Sequence, residues 1–208
     1  MSTLDGSTLT ADAAPEPPRA TTLEPLDSAM DRYAEGDDSA FSELVRGLTP
    51  RLRAFLQRLT SSLDLADDLT QETFLRMHRA RGSFVRGGAV VPWSYAIARN
   101  CFISHTRAKK SRFLKSSVDV TEIEVATGPD VNAEASVSAQ QSAGIVAKTL
   151  AAMPVANREA FVLIRYEGLS VSVAAQLVGI SEGALKLRAF RAYEMLRAAL
   201  SAADSSPA

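Results

Sequence analysis

The 208-residue chain has almost no material for a covalent framework or a metal cage. A single cysteine, Cys101, rules out an intrachain disulfide and fits a reducing compartment. Histidine is almost as scarce, with only His78 and His105. Cys101 and His105 stand four residues apart, the spacing of two metal ligands on a helix, but no further Cys or His partners occur, so a packed core pair is the better reading. No apolar run approaches the roughly 20 residues that cross a bilayer, and the N-terminus lacks the basic-then-apolar order of a signal peptide. A soluble cytoplasmic protein with no membrane insertion of its own is expected. There is no phosphate-cradling glycine loop before a helix and no nucleophile elbow, so an enzyme is not expected. The carboxylates between Asp64 and Glu72 lack the alternation and glycine of a calcium loop, and no cofactor or metal is expected. Strand-type alternation is also missing, and helical periods recur instead. The expected fold is all-α.

Charge is balanced overall, at −1, but strongly segregated. Residues 1–40 carry two basic against nine acidic side chains, a net of −7, whereas residues 41–116 carry fourteen basic against five acidic, a net of +9. Residues 117–147 return to −5 with no Lys or Arg, and residues 148–200 stand at +3. Two basic blocks separated by an acidic stretch suit two anion-binding modules on a tether, and point to nucleic acid or a membrane surface.

The densest block, PWSYAIARNCFISHTRAKKSRFLK over 92–115, begins with Pro92, tolerated in the first turn of a helix. Trp93, Ile97, Cys101 or Phe102, and His105 follow as one apolar stripe. Arg99, Arg107, Lys109, Lys110, Arg112 and Lys115 exceed what a helix C-terminus needs for its dipole and suit a polyanion.

Around it, residues 1–26 read as a disordered tail and 27–115 as a first module. Within that module a short helix around Ser28–Ala34 ends at Gly36, and Asp37 or Asp38 caps the next. Pro50 is expected to restart that helix, with Leu52, Phe55, Leu56 and Leu59 as the following stripe. Asp64 is expected to cap a helix to about Ala80 on Leu65, Leu69, Phe74 and Met77 or His78, whose first turns, DLADDLTQETF, are unusually acidic. The glycine-rich loop 81–91 carries an aromatic and two arginines, a composition that can stack an unpaired base.

Residues 116–141 read as an acidic linker, 142–200 as a second helical module and 201–208 as a tail. In the second module Pro154 stops one helix, Asn157 caps another, Ser170 caps a third closed by Gly179, and Ser181 caps a fourth through Leu200. The short turn LVGIS after Ala174 and Ala175 is a helix-turn-helix signal, since small residues let the helices cross closely and glycine makes the turn. On the last helix Leu185, Ala189 or Ala192, and Leu196 suit the core, while Lys186, Leu187, Phe190 and Arg191 fall on a neighbouring face. Phe190 among basic residues suits thymine methyls or packing on the preceding helix.

The two modules in this order resemble a bacterial RNA polymerase sigma factor of the sigma-70 family, in the extracytoplasmic-function (ECF) group. DLADDLTQETFLRMHR resembles that family's polymerase-docking helix, WSYAIARNCFISHTR its promoter-melting helix, and GLSVSVAAQLVGISEGALKLRAFRAYEMLR its upstream-element helix-turn-helix. The resemblance implies partners: core RNA polymerase through its largest-subunit clamp helices and its flap, promoter DNA, and an anti-sigma factor that wedges between the modules. It also implies roles. Asp64, Asp67, Asp68, Gln71, Glu72 and Phe74 would dock on the polymerase; Ser83, Phe84, Arg86, Trp93, Tyr95 and Asn100 would capture the melted downstream element, with Arg107, Lys109, Lys110 and Arg112 on phosphates. Lys186, Leu187, Arg188, Phe190 and Arg191 would meet the upstream duplex. Ala184 and Leu187 replace the family's usual Thr and Ser and remove two hydroxyl donors, so altered upstream recognition is expected, and Val173 replaces the acid that would complete a capping box with Ser170. The competing reading is a free-standing helix-turn-helix regulator that dimerises through its first module; a helical protein-binding adaptor is less consistent with two basic modules.

Overall fold

The computed structural model describes residues 24–115 and 137–204; most of the acidic linker and both extreme tails fall outside them. The described chain is helical throughout: α1 (Glu24–Ala34), α2 (Ala40–Thr60), α3 (Leu63–Ala80), α4 (Val90–Lys115), α5 (Val137–Ala152), α6 (Val155–Phe161), α7 (Val171–Val178) and α8 (Glu182–Asp204). A single 3-10 turn, Arg81–Ser83, follows α3, and a wide turn, Val162–Tyr166, extends α6. No described helix is long and apolar enough to cross a membrane.

The central element is α2, whose Leu44, Leu48, Leu52, Phe55, Leu56 and Leu59 are all buried. Their mostly three- and four-residue steps make a continuous stripe about 22 Å long at 1.5 Å per residue. Pro50 does not restart the helix as expected; α2 runs straight through it. Pro50 is exposed, so water can satisfy the carbonyl left without an N–H partner, and packing of Leu48 and Leu52 on either side outweighs a local cost of about 3 kcal/mol. α1 crosses α2 at Gly47, where a Cβ would stand 2.4 Å from Leu26 Cδ2. A side chain there would have to displace the end of Leu26.

Several ends differ from expectation. α1 starts at Glu24, inside the stretch read as a tail, α4 at Val90 rather than Pro92, α5 at Val137, inside the stretch read as linker, and α8 continues to Asp204. Ser62, not Asp64, caps α3, its hydroxyl accepting from Leu65 N–H at 3.3 Å. Ser39 precedes α2 with no side-chain cap of its own, while Asp37 accepts from its N–H at 3.1 Å. Pro154, not Asn157, precedes α6. Ser170 and Ser181 do cap α7 and α8, accepting from Val173 and Ala184 N–H at 3.2 Å each. Gly179, at φ 77°, makes the turn between them in the left-handed region, with its N–H on Ala175 O at 2.9 Å.

The first residues of α4 are held from outside the helix. Asp27 accepts Val90 N–H at 2.7 Å, and Asp31 accepts Gly87 N–H at 3.0 Å. These carboxylates satisfy backbone donors at the positive end of the helix dipole. Glu35 pairs with Arg86 at 2.8 Å and Asp38 with Arg81 at 2.5 Å, so α1 and its following turn place acidic charge against the basic 81–91 loop.

Ala160, Val162, Leu163, Ala174, Ala175, Val178 and Leu185 of the C-terminal half join the same buried cluster as Leu56 and Tyr95 of the N-terminal half. A smaller cluster of Leu150, Met153, Ala192 and Leu196 binds α5 to α8. The two halves therefore share one apolar core.

Candidate functional site

Four surfaces collect the residues singled out by sequence. On α3, Asp64, Asp68 and Gln71 are exposed. Glu72 is half-exposed and accepts from Arg76 Nε at 2.7 Å, one helical turn on. Asp67 pairs with Arg53 at 2.5 Å, and that hydrogen bond holds its carboxyl below the usual range. Phe74 turns away from this face and packs edge-on against Phe41, with ring centroids 6.2 Å apart. Leu75, passed over in the sequence, is 53% exposed and lies on the face of Asp68, Gln71 and Glu72 by three- and four-residue steps. Its signal was available: an apolar residue out of phase with the buried stripe.

The second surface joins the 81–91 loop to α4. Ser83 is exposed and donates to Ala80 O at 2.7 Å; Phe84 is nearly buried, 5.2 Å edge-on from the half-buried Trp93. Arg86, Asn100, Arg107 and Lys109 are exposed. The side chains of Lys110 and Arg112 lie outside the described residues. The buried stripe of α4 is Val91, Tyr95, Ala98 and Phe102, with Cys101, rather than Trp93 and Ile97, which are partly covered. Tyr95 is 0% exposed. Two residues correspond to about 200° around a helix, so Tyr95 projects on the opposite side of α4 from Trp93. Its ring lies 4.9 Å from Phe55, and its hydroxyl donates to Glu167. Burial, and then the Glu167 charge, push the phenol far above its ordinary value. Cys101 is buried beside Thr73, whose hydroxyl lies 3.8 Å from its sulfur, and burial pushes the thiol up.

The third surface is the outer face of α8. Lys186 and Arg191 are exposed, Leu187 is 49% and Phe190 60% exposed, and Arg188 is half-buried. Phe190 is therefore mostly open to solvent. Tyr193, 54% exposed, extends this face by another turn and was not singled out from the sequence.

The fourth surface is covered, where the two halves meet. Arg99 Nε donates to Glu159 at 2.6 Å, with Glu159 side-chain exposure only 6%. Arg58 lies 3.5 Å from Glu167, also 6% exposed, and its guanidinium sits 4.2 Å above the Tyr166 ring. Burial pushes the Glu167 carboxyl up, opposed by the Tyr95 hydrogen bond and by Arg58 and Arg51. Arg158, 6% exposed, donates to Ser61 Oγ at 3.1 Å at the C-terminus of α2 while its Nε has no partner; desolvation lowers its pKa. A helix C-terminus provides partial negative charge for this cation.

Comparison with known proteins agrees with this arrangement. The family model for sigma-70 region 2 matches residues 44–112, and that for sigma-70 region 4 matches residues 143–196. RNA polymerase sigma factor CarQ of Myxococcus xanthus is 34% identical over 168 residues, spanning 81% of this chain and 93% of CarQ. ECF RNA polymerase sigma factor SigF of Caulobacter vibrioides is 30% identical over 180 residues, spanning 86% of this chain and 96% of SigF. Among solved structures, the sigma factor RpoE of Bartonella quintana, in complex with the anti-sigma factor NepR, superposes with a TM-score of 0.67 at 32% identity, over 77% of this chain and 96% of RpoE. CnrH, solved with the cytosolic domain of CnrY, shares the fold with a TM-score of 0.61 at 24% identity, over 86% of this chain and 98% of CnrH. Sequence, fold and the order of the two regions together place this chain in the ECF group of sigma-70 family RNA polymerase sigma factors.

Proposed function

We propose that the chain docks on core RNA polymerase through the exposed face of α3, engages the melted downstream promoter element with the 81–91 loop and the exposed part of α4, and meets the upstream element as duplex through α8. The observation that carries this reading is the segregation of three chemically different faces on one shared apolar core. An acidic and polar face with an exposed leucine suits a protein partner; a helix with a half-buried Trp93 in its first turn and exposed Asn100, Arg107 and Lys109 further along suits single-stranded DNA; Lys186, Leu187, Phe190 and Arg191 on a helix-turn-helix suit a major groove. The work is binding and strand separation in the cytoplasm, with no bond made or broken. Unstacking costs a few kcal/mol per base, which aromatic stacking and phosphate contacts offset.

The two modules, taken as residues 27–115 and 142–200, are supported by the positions of the two family matches. Control by an anti-sigma factor is supported by the likeness to RpoE, solved in such a complex. A pulldown from unstressed cells that recovers no protein contacting both modules would count against it.

The test is multi-round transcription from genomic fragments with purified core polymerase, with and without the protein, beside an Asp68→Lys/Glu72→Lys variant. Discrete transcripts are expected with the intact protein and at least about tenfold fewer with the variant, since charge reversal at an interface costs several kcal/mol. A protein that binds core no better than the variant, yet shifts a specific duplex unaided, would instead be a free-standing regulator.

A further inference from the structure

One side of α1 and of the turn after it carries a file of carboxylates, and each of them meets the 81–91 segment. Asp27, Asp31 and Glu35 stand at four-residue steps on one face, while Ala29, Met30 and Tyr33 are buried in the core. The Glu35–Arg86 ion pair is open to water, with side-chain exposures of 50% and 69%, so a DNA phosphate can take Arg86 from it. Asp27 and Asp31 differ, because both are half-buried and their partners are backbone N–H groups. The backbone they hold is a tight turn. Gly88 N–H donates to Val85 O at 3.0 Å, Gly87 has φ 69° at the third position, and a Cβ on Gly88 would stand 2.7 Å from Val85 O. Such a turn leaves the Gly87 N–H unused, and Asp31 accepts it with both oxygens, at 3.0 and 3.3 Å. Phe84 is nearly buried at one end and Val90 is buried at the other, so the side chains that project are Val85, 77% exposed, and Arg86. A carboxylate beneath a DNA-facing loop repels phosphate and costs affinity. What Asp31 supplies is the shape of the turn.

We propose that Asp31, with Asp27, is a positioning residue for capture of the melted downstream element. Their carboxylates hold the Val85–Gly88 turn and the start of α4 in one shape, so that Val85 and Arg86 meet an unpaired base and its phosphate from a fixed direction. A turn ordered before binding loses less freedom on binding, and it accepts fewer bases than a turn that adapts to each. Asp31 acts through the backbone of the turn rather than on DNA. The inference deepens the reading of the 81–91 loop given above and rests on it.

The test uses holoenzyme assembled from core polymerase and the full chain, with a pool of DNA duplexes that carry a central unpaired segment of random sequence. Sequences retained by the unsubstituted holoenzyme give its preference at each unpaired position. Asp31→Ala is expected to lower the strongest preference about tenfold, the size of one hydrogen bond to a charged acceptor, with total binding to the pool equal or greater. Asp31→Asn keeps an acceptor for the Gly87 N–H without the charge and should keep most of the preference. Glu35→Gln removes a charge from the same face but no backbone bond, and should tighten binding with the preference unchanged. Amide hydrogen exchange over residues 84–90, on each chain without DNA, should speed up in Asp31→Ala alone of these three. Binding to core polymerase should be the same for all. An unchanged preference in Asp31→Ala overturns the proposal. So does an equal loss in Asp31→Asn or Glu35→Gln, which would make charge the cause, or a loss accompanied by weaker core binding, which would make the role merely structural. If the unsubstituted holoenzyme itself retains no preferred sequence, the reading of the loop fails first and the positioning role falls with it.

Discussion

Glu167 sits where three demands meet: a buried position, a tyrosine hydroxyl that donates to it, and arginines close enough to oppose its desolvation. The balance leaves its pKa above the ordinary value of 4.5. A raised carboxyl pKa means that the folded chain holds this proton more firmly than the unfolded chain does. Its contribution to stability is therefore full below the ordinary value and is lost as pH rises through the folded one. A glutamine has no such proton to lose. The expected outcome is that the Tm of Glu167→Gln, relative to the unsubstituted protein, climbs as pH goes from about 4 to about 7. A pH-independent difference would show that burial and its opposing partners cancel, and one of opposite slope that the hydrogen bond and arginines dominate. Core residues follow the simpler rule of volume. Phe55 is fully buried against Tyr95, and Phe55→Ala should cost about 3–5 kcal/mol in urea unfolding.

At the scale of the element, helix ends were read from residue types, and the outcome turned on which side chain actually reached a free N–H. Ser62 and Asp64 both suit a cap of α3, but only Ser62 has extended backbone, at φ −137° and ψ 129°, and only its hydroxyl meets the Leu65 N–H. Ser62→Ala should cost about 1 kcal/mol and Asp64→Ala much less, as read by thermal or urea unfolding. Equal losses would return the cap to Asp64. Pro50 teaches the complementary lesson, since a local breaker at an exposed position yields to a stripe of buried leucines on both sides of it. Recognition belongs to this scale as well. On α8, Lys186→Ala should weaken upstream-duplex binding broadly and reduce the salt slope by about 1, the signature of one lost phosphate contact. Phe190→Ala should weaken binding with the salt slope unchanged, and band shifts at several salt concentrations separate the two.

Across the whole molecule, the single apolar core has a thermodynamic consequence. Leu56, Tyr95, Val162 and Ala174 belong to one buried cluster, and the ion pairs between the halves are mostly shielded from water. Thermal unfolding should therefore be one cooperative transition, with the same midpoint whether followed by helix content or by the fluorescence of Trp93 in the N-terminal half. Two separated transitions would mean that the halves are stable independently and that the shared core contributes little.

Much of this was readable without coordinates. Helical periods, the turn at Gly179, the caps at Ser170 and Ser181 and the surface residues of α8 are local properties, because a helix repeats every 3.6 residues and a cap acts within one turn. Family membership was legible for the same reason: its motifs are short and contiguous. The sequence could not show that Tyr95 faces the core, that Phe74 turns from the α3 face towards Phe41, or that Asp27 secures the start of α4 from 63 residues away. Nor could it show that Glu159 and Glu167 stand against Arg99 and Arg58. Those facts depend on which elements meet across long separations in the chain, and that choice is made by burial summed over the whole core rather than by the residues on either side of each position.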